Sequence, residues 1–412
     1  MARPRPLRGV LLFLFLSFLS VKMAASQDWP EFRGPTGQGH SGETGLPVEW
    51  SESRNVAWKV PVPGRGWSSP VVADGKVWVT TSVADPEGAS LRAMAFSVES
   101  GVTLVDIEVF RIAESGLLNP KNSQASPTPI LDRDRIYVHF GADGTAALTT
   151  SGAVLWTARF PYVSQHGNGG SPALHEDLLI LNCDGYDRAF VVALDTATGE
   201  VRWKTDRRGP FSQAYSTPLV IRVGGRDQVI SVGAFRATAY DPATGEEIWY
   251  VRYPDGFSNV PRPVYGNGLV YIDTGFNDPS LLAVRVDGRG DVTDTHVEWI
   301  GRRSIPFTPS PLLVGSELYL VSDLGVVSCL DAATGEVHWQ RRILGNYSAS
   351  PLYADGRIYI LSEDGVATVF RPGTAYVELA TNEIDGATLA SIAVSNGSLF
   401  IRSLSHLYRI AR

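Results

Sequence analysis

The chain has 412 residues, more than one hydrophobic core usually organises, so its length indicates several domains or a repeat array. Its 36 basic and 43 acidic residues give a net charge of −7, and Lys and Arg form no cluster. This balance argues against nucleic acid and against an anionic membrane surface as partners. The 41 Gly and 26 Pro favour many turns and short strands.

The first 26 residues have the pattern of a secretory signal peptide. Arg3, Arg5 and Arg8 give a basic start, residues 9–21 form an apolar run, and residues 24–26 offer a small-residue cleavage site. The run is shorter than the roughly 20 residues that cross a bilayer. We therefore expect cleavage and an exported bacterial protein, periplasmic or extracellular, without a transmembrane span. An uncleaved signal acting as a membrane anchor is the alternative. No Cys follows the expected cleavage site, so no lipid anchor is expected.

One unit recurs along the remaining chain. Its clearest copies end in ALDTATGEVRW (193–203), AYDPATGEEIW (239–249) and CLDAATGEVHW (329–339). The first strand of each unit is expected to follow a proline. Seven such prolines recur at intervals of 40 to 57 residues: Pro70, Pro127, Pro172, Pro218, Pro263, Pro311 and Pro351. A degenerate eighth unit opens at Ser391-Ile392. Repeats of this length with four short strands are typical of propeller blades. The terminal Trp is expected to pack between neighbouring blades.

Counting the units predicts an all-β fold, an eight-bladed β-propeller of four-stranded antiparallel blades. The last unit, 389–412, lacks a Trp-bearing fourth strand, and residues 55–60 (NVAWKV) match that strand. Pairing the two chain ends would close the ring without an open edge. The expected organisation is a signal peptide at 1–26, an extended N-terminal arm at 27–52 and the propeller at 53–412.

The AxDxxTGxxxW run resembles the repeat of pyrroloquinoline-quinone (PQQ) alcohol dehydrogenases and of the outer-membrane assembly factor BamB. The segments DWPEFRGPTGQG (28–39) and LPVEW (46–50) further resemble secreted bacterial PQQ-like repeat proteins. The resemblance covers residues 50–412 and implies the propeller fold. A shared fold does not by itself transfer chemistry.

The chain departs from the quinoprotein enzymes of that resemblance. Those enzymes carry a vicinal Cys-Cys pair beside the quinone and a calcium ion held by carboxylate and amide ligands. This chain has only Cys183 and Cys329, which we interpret as buried hydrophobic residues without a disulfide. No cofactor is therefore expected, and PQQ with calcium remains the disfavoured alternative.

Strand alternation separates two faces of the predicted ring. The turns after the first and third strands, which lie on one face, are short and regular. The segments between blades lie on the other face and are longer and chemically varied, which favours that face for binding. Plain loop chemistry is the competing interpretation. The candidate binding residues on that face are Trp67, His166, Asn168, Gln213, Tyr215, Asn259, Arg262 and Tyr347. No catalytic residue and no metal ligand set is predicted, because no nucleophile constellation surrounds His166 and the histidines lack metal-ligand spacing.

Arg262 stands where most units have Ser or Thr before the opening proline. A cation is therefore expected to point toward the channel axis. Such a placement is costly unless a bound anion, or an acid such as Asp323 or Asp364, balances it.

The favoured function is an exported, non-catalytic binding or scaffold propeller that acts through its interblade-loop face. The alternative is a PQQ-dependent dehydrogenase of alcohols or sugars. The expected partner is a protein or a small molecule, not nucleic acid, and a monomer is expected.

Overall fold

The computed structural model describes Met1, residues 28–113 and residues 118–412. Apart from Met1, the expected signal peptide at 1–26 lies outside the described residues. Within them the structure is built from strands, with one 3₁₀ turn at Gly141–Asp143. No helix in the described part of the chain is long and apolar enough to cross a membrane.

Thirty-six strands follow one another along the described chain. The first eighteen are β1 (His40–Ser41), β2 (Val56–Pro61), β3 (Val71–Ala73), β4 (Lys76–Asp85), β5 (Gly88–Ser97), β6 (Thr103–Ile112), β7 (Ile130–Asp132), β8 (Arg135–His139), β9 (Thr145–Thr149), β10 (Val154–Ala158), β11 (Ala173–His175), β12 (Leu178–Asp184), β13 (Ala189–Asp195), β14 (Val201–Asp206), β15 (Leu219–Val223), β16 (Arg226–Gly233), β17 (Arg236–Tyr240) and β18 (Glu247–Arg252). The others are β19 (Gly256–Phe257), β20 (Val264–Gly266), β21 (Leu269–Asp273), β22 (Phe276–Asn277), β23 (Leu281–Arg285), β24 (Gly290–Asp291), β25 (Val297–Gly301), β26 (Leu312–Val314), β27 (Glu317–Val321), β28 (Val326–Asp331), β29 (Val337–Arg342), β30 (Leu352–Ala354), β31 (Arg357–Leu361), β32 (Val366–Arg371), β33 (Val377–Glu383), β34 (Ala393–Ser395), β35 (Ser398–Arg402) and β36 (His406–Ile410).

These strands form eight antiparallel blades, and the predicted eight-bladed propeller is confirmed. Blades 1 to 4 are β3–β6, β7–β10, β11–β14 and β15–β18. Blade 5 is β20, β21, β23 and β25, and blades 6 and 7 are β26–β29 and β30–β33. Blade 8 combines β34, β35 and β36 with β2 from the other end of the chain. Outside the blades, β19 pairs with β22, and β24 and β1 add in parallel to β18 and β30.

The turn between the first and second strands reverses the chain in two residues in several blades. Asp74 and Gly75 have φ angles of 48° and 73°, and Asn396 and Gly397 have φ angles of 53° and 64°. Two successive positive φ angles are the requirement of a type I′ hairpin turn, which Asn-Gly and Asp-Gly meet at low cost. This chemistry keeps the hairpin-turn face of the ring short and uniform.

The ring closes through backbone pairing between the chain ends. β2 pairs antiparallel with β36, from Val56 opposite Ile410 to Pro61 opposite His406. The N-terminal segment thereby supplies the outermost strand of blade 8, and the innermost strand β34 lies beside β3 of blade 1. Closure leaves no blade of the ring without a neighbour.

Residues 28–50, here called the N-terminal arm, begin inside the ring and end at the outermost strand of blade 7, where the Trp50 N–H donates to Asn382 Oδ1. Trp29 exchanges two backbone hydrogen bonds with Val72 in blade 1, and Tyr353 N–H in blade 7 donates to the Gly39 oxygen. Trp29 and Leu46 are fully buried. Because the innermost strands have unpaired backbone groups toward the channel, the arm satisfies some of them and crosses the channel.

The tryptophans of the fourth strands pack against the next blade, as expected. Trp203 Nε1 donates to the Pro242 oxygen at 2.8 Å, in the turn between the third and fourth strands of blade 4. The indole N–H groups of Trp58, Trp156, Trp299 and Trp339 make the same contact with the oxygens of Val98, Thr196, Ala332 and Gly373. Trp249 differs, since it donates to Gln228 in its own blade. One contact repeated around the ring therefore joins neighbouring blades.

This contact explains the glycine of the Thr-Gly turn. Gly245 has a φ of 74°, and a Cβ atom built on it would lie 2.5 Å from the Trp203 ring. Gly356 has a similar φ of 69° but no atom within 4 Å of such a Cβ. The two glycines share the backbone requirement and differ in the space around them.

We predict that Gly245→Ala lowers the free energy of unfolding by about 1–3 kcal/mol more than Gly356→Ala, since only the first change overpacks an interblade contact. Chemical denaturation of both variants measures the difference. Equal losses would mean that the φ angle alone, and not the Trp203 contact, requires glycine in this turn.

Candidate functional site

A ring of Ser and Thr hydroxyl groups links the blades at the centre of the propeller. Ser69 N–H donates to Thr128 Oγ1 of the next blade at 2.9 Å, and Ser391 N–H donates to Ser69 Oγ at 3.0 Å, which joins blade 8 to blade 1. Each member lies two residues before the first residue of its blade's first strand. The members of this hydroxyl ring are Ser69, Thr128, Ser171, Thr217, Ser310, Ser350 and Ser391.

The hydroxyl ring corrects one expected blade start. The second blade was expected to open at Pro127, but β7 begins at Ile130, directly after Thr128 and Pro129. Thr128 must stand in register with Ser69 because its hydroxyl accepts the Ser69 N–H. Pro127 therefore belongs to the loop that precedes the blade.

Arg262 interrupts the hydroxyl ring and binds the N-terminal arm. The side chain is 2 % exposed; Nη1 donates to the Phe32 oxygen at 2.7 Å, and Nη2 lies 3.3 Å from Glu31 Oε2. The expected acids do not balance this cation; Glu31 does. Asp323 instead accepts the Phe307 N–H. Arg262 is thus an anchor for the arm, and it does not line the cavity described below, contrary to expectation.

Two more buried charges lie near this pair. Arg33 is 2 % exposed and donates from Nη2 to the Pro311 oxygen at 2.7 Å, and burial together with Arg262 lowers the pKa of Arg33 to about 9. Asp273 is buried, and neither carboxylate oxygen has a hydrogen-bond partner among the described residues. Burial, with Asp323 nearby, raises the pKa of Asp273 well above its ordinary value. Burial also raises the pKa of Glu31, although Arg262 opposes this shift.

We predict that Arg262→Met lowers the free energy of unfolding by about 3–5 kcal/mol, because Glu31 is then left without its cation inside the ring. Chemical denaturation measures the loss. Limited proteolysis should show faster cleavage in the arm.

The double change Glu31→Gln with Arg262→Met should recover part of the loss, since it removes the unpaired charge. Arg111→Met is the control, because Arg111 pairs with Asp85 and Glu108 at the surface, where ion pairs contribute about 0–1 kcal/mol. A loss below 1 kcal/mol in Arg262→Met would mean that other contacts hold the arm.

A cavity of about 530 Å³ lies above the hydroxyl ring on the interblade-loop face. This face consists of the loops between blades and the turns between second and third strands. All seven hydroxyl-ring residues contribute to the lining, and so does Phe32 from the arm. The arm pairs with the innermost strands on the other side of the hydroxyl ring. The cavity is therefore a cup with its opening on the interblade-loop face.

Four of the expected binding residues line this cup: Trp67, His166, Gln213 and Tyr215. Tyr215 donates from its hydroxyl to Gln213 Oε1 at 2.8 Å, and Gln213 Nε2 donates to Ser258 Oγ at 3.0 Å. The His166 and Tyr215 rings lie 6.5 Å apart. These bonds hold the Tyr215 ring in one position against the cavity.

Three other expected residues are buried away from the cup and support the loops. Asn168 Nδ2 donates to the Phe140 oxygen at 2.6 Å, and Asn259 Nδ2 donates to the Gly233 oxygen at 3.2 Å. Tyr347 is fully buried and donates to the Leu344 oxygen at 3.2 Å. Polar loop residues often bind nearby backbone groups in this way. None of these three side chains is among the residues that line the cup.

The sequence reasoning missed an aromatic wall of the cup. Phe257, Phe276 and Phe307 line it, with ring centroids 5.7 Å apart between the first two and 6.0 Å apart between the last two. Phe276 is 55 % exposed. The recurrence of Phe at 257, 276 and 307, in segments between predicted strands of one face, was a usable signal in the sequence. No local pattern could place Phe32 in the lining.

Titratable groups with metal-binding geometry are absent from the described residues, where no three His, Cys, Asp or Glu side chains converge. The described lining of the cup includes Lys121 and His166 but no carboxylate. Lys121 Nζ lies 2.7 Å from Glu363, outside the lining. Cys183 and Cys329 are buried and unpaired.

Comparison with solved structures shows the same fold in several proteins. BamB from Moraxella catarrhalis is 16 % identical, with a TM-score of 0.59 over 86 % of this chain and 99 % of that chain. A europium-containing methanol dehydrogenase is 11 % identical, with a TM-score of 0.62 over 92 % and 90 %. A quinohemoprotein alcohol dehydrogenase from Pseudomonas putida HK5 is 10 % identical, with a TM-score of 0.61 over 93 % and 80 %. Identities this low show the fold alone.

Comparison by sequence gives a family assignment. No curated protein sequence matches the chain. The sequence profile of the family described as outer membrane protein assembly factor BamB matches residues 41–162, 146–293 and 233–377. These segments together span well over half of the chain and include most of its blades. The chain therefore belongs to the family described as outer membrane protein assembly factor BamB.

Proposed function

We propose that this protein is an exported, non-catalytic binding or scaffold module that acts through its interblade-loop face. The observation that carries the proposal is the cup above the hydroxyl ring, which Phe32 of the arm helps to line. Clefts of 300–1,000 Å³ with mostly apolar walls and a few converging polar groups are typical binding sites. The family description, outer membrane protein assembly factor, supports a protein partner in the cell envelope.

Exposed apolar side chains extend the cup outward on the same face. The large apolar residues exposed in its loops are Val163, Tyr186, Phe211, Phe276, Phe307, Leu324, Leu344 and Leu404. Aromatic side chains in particular are enriched where proteins associate. On the opposite face, the turn between β5 and β6 exposes Val102, and that face has no aromatic residue among the exposed large apolar side chains of the described chain.

We predict that a photoreactive phenylalanine analogue at Phe276 captures a partner in cells of the native host, because Phe276 is 55 % exposed at the rim of the cup. The same analogue at Val337, which is 46 % exposed on β29 at the outer edge of blade 6, is the matched control. Adducts are identified by gel shift and mass spectrometry.

Adducts that form at Phe276 and not at Val337 support the proposed face. Adducts that form only at Val337 would move the binding surface to the outer edge of the blades. An absence of adducts at Phe276, under conditions where the analogue reacts in a known complex, would contradict a protein partner at this rim.

Quinone-dependent oxidation is the second candidate, and the shared fold with two alcohol dehydrogenases favours it. The residues present do not fit that cofactor pair. A calcium or lanthanide ion beside a quinone needs carboxylate ligands, whereas the described lining of the cup has none. The sequence also contains no adjacent cysteines. No oxidation step is derived through this site.

We predict that purified protein supplied with PQQ and either calcium or europium ions shows no dye-linked oxidation of methanol or ethanol. A reconstituted quinoprotein dehydrogenase in the same buffer is the positive control. Turnover that requires both the quinone and the metal ion would overturn the non-catalytic assignment.

A further inference from the structure

The floor of the cup has hydrogen-bond donors that no protein group uses. Each of the seven ring hydroxyls accepts one backbone N–H bond. Within the described residues, none of these hydroxyls donates to a protein acceptor. All seven side chains are more than nine-tenths buried, and all line the cavity. These O–H groups line the cavity, so a ligand that supplies acceptors can bond to them at the floor.

The N–H bonds also improve these hydroxyls as donors. A hydroxyl that accepts a hydrogen bond is polarised and donates more strongly, because bonds in a chain reinforce one another at low local dielectric. A carboxylate has four lone pairs and no proton to place, so it matches a cluster of O–H donors better than an alcohol or a sugar hydroxyl does.

Three buried guanidinium groups lie around the ring. Arg33, Arg262 and Arg402 are each 0–2 % exposed, and Arg402 Nη1 donates to Ser68 Oγ at 2.8 Å, beside the ring member Ser69. Glu31, Asp273 and Asp323 are the acids near Arg262 and Arg33, and burial raises the pKa of all three. Burial lowers the pKa of Arg402 to about 9, which leaves it charged at neutral pH. Burial disfavours the charged forms of these acids, so the buried guanidinium groups favour an anion at the floor.

The wall above the floor selects the other part of the ligand. Trp67, Tyr215, Phe257, Phe276 and Phe307 give the cup aromatic sides. Aromatic rings contribute large apolar contact areas and stack with other rings. A ligand that fills the cup therefore has an apolar or aromatic body directed toward the opening.

We propose that the cup binds an amphipathic carboxylate, with the acid group on the hydroxyl ring and the apolar body against the aromatic wall. This proposal rests on the proposed binding function and names its ligand chemistry. The same chemistry is available from a free aromatic or aliphatic acid and from the C-terminus of a partner polypeptide that ends in an apolar residue.

The test compares acids with their neutral amides by isothermal titration calorimetry. The probes are 4-phenylbutyrate and 4-phenylbutanamide, and the tripeptide Gly-Leu-Phe with a free or an amidated C-terminus. We expect each acid to bind at least about tenfold more tightly than its amide, since charge-assisted hydrogen bonds are stronger than neutral ones. Preference for the small acid or for the peptide distinguishes the two sources.

Two serine double variants separate the floor from general loss of stability. Ser350→Ala with Ser391→Ala removes two floor donors. The control, Ser322→Ala with Ser362→Ala, removes two hydroxyls that accept the N–H groups of Val326 and Val366 in turns that do not line the cup. We expect the floor variant to lose at least about tenfold in acid affinity and less in amide affinity, because the neutral amide oxygen accepts weaker hydrogen bonds than a carboxylate does. The control should bind both as the wild type does.

Other outcomes overturn the proposal in distinguishable ways. Acid and amide that bind equally would show a binding cup without an anion preference, which contradicts this inference and leaves the proposed function intact. Acid binding that survives in the floor variant would place the anion elsewhere. Absence of binding by all four probes would also contradict the inference, while photo-cross-linking at Phe276 tests the binding function independently.

Discussion

The hydrogen bond from one blade's backbone N–H to the hydroxyl of the next blade is the interaction on which the rest of the structure depends. The N–H that precedes each opening proline is buried at the narrowest part of the ring, where an unpaired donor is costly. Seven Ser or Thr side chains supply acceptors there. The same residues set the approach of neighbouring blades and form the floor of the cup. Structural closure and the chemistry of the candidate site therefore share one set of atoms.

The single interruption of that ring determines how the channel is closed. At Arg262 a guanidinium replaces the hydroxyl, and a buried cation needs a partner. Glu31 and the Phe32 oxygen supply it from a segment more than 200 residues away in the chain. The arm then pairs with the free edges of the innermost strands, as at Trp29 and Val72. A channel that could have passed through the ring becomes a cup that opens on one side.

Most of the architecture could be predicted because it depends on local chemistry repeated many times. A period of 40 to 57 residues, Thr-Gly turns and regularly placed tryptophans are sufficient to identify blades and to count them. The candidate site was predicted only in part. Trp67, His166, Gln213 and Tyr215 line the cup, whereas Asn168, Asn259 and Tyr347 occupy the same kinds of loop and turn toward backbone groups. Loop composition is the same in both cases, so only the fold around each side chain decides its direction.

The sequence by itself determined the all-β class, the number of blades, the face with varied loops and the unusual position of Arg262, because each follows from residue type and spacing along the chain. Only the tertiary structure decided what surrounds the channel. The register of Thr128 rather than Ser126, the pairing of Glu31 with Arg262 and the meeting of Phe32 with Phe257 at one cavity depend on contacts between distant segments. Such contacts form when the ring closes. Closure brings together residues that the sequence repeat does not relate to one another.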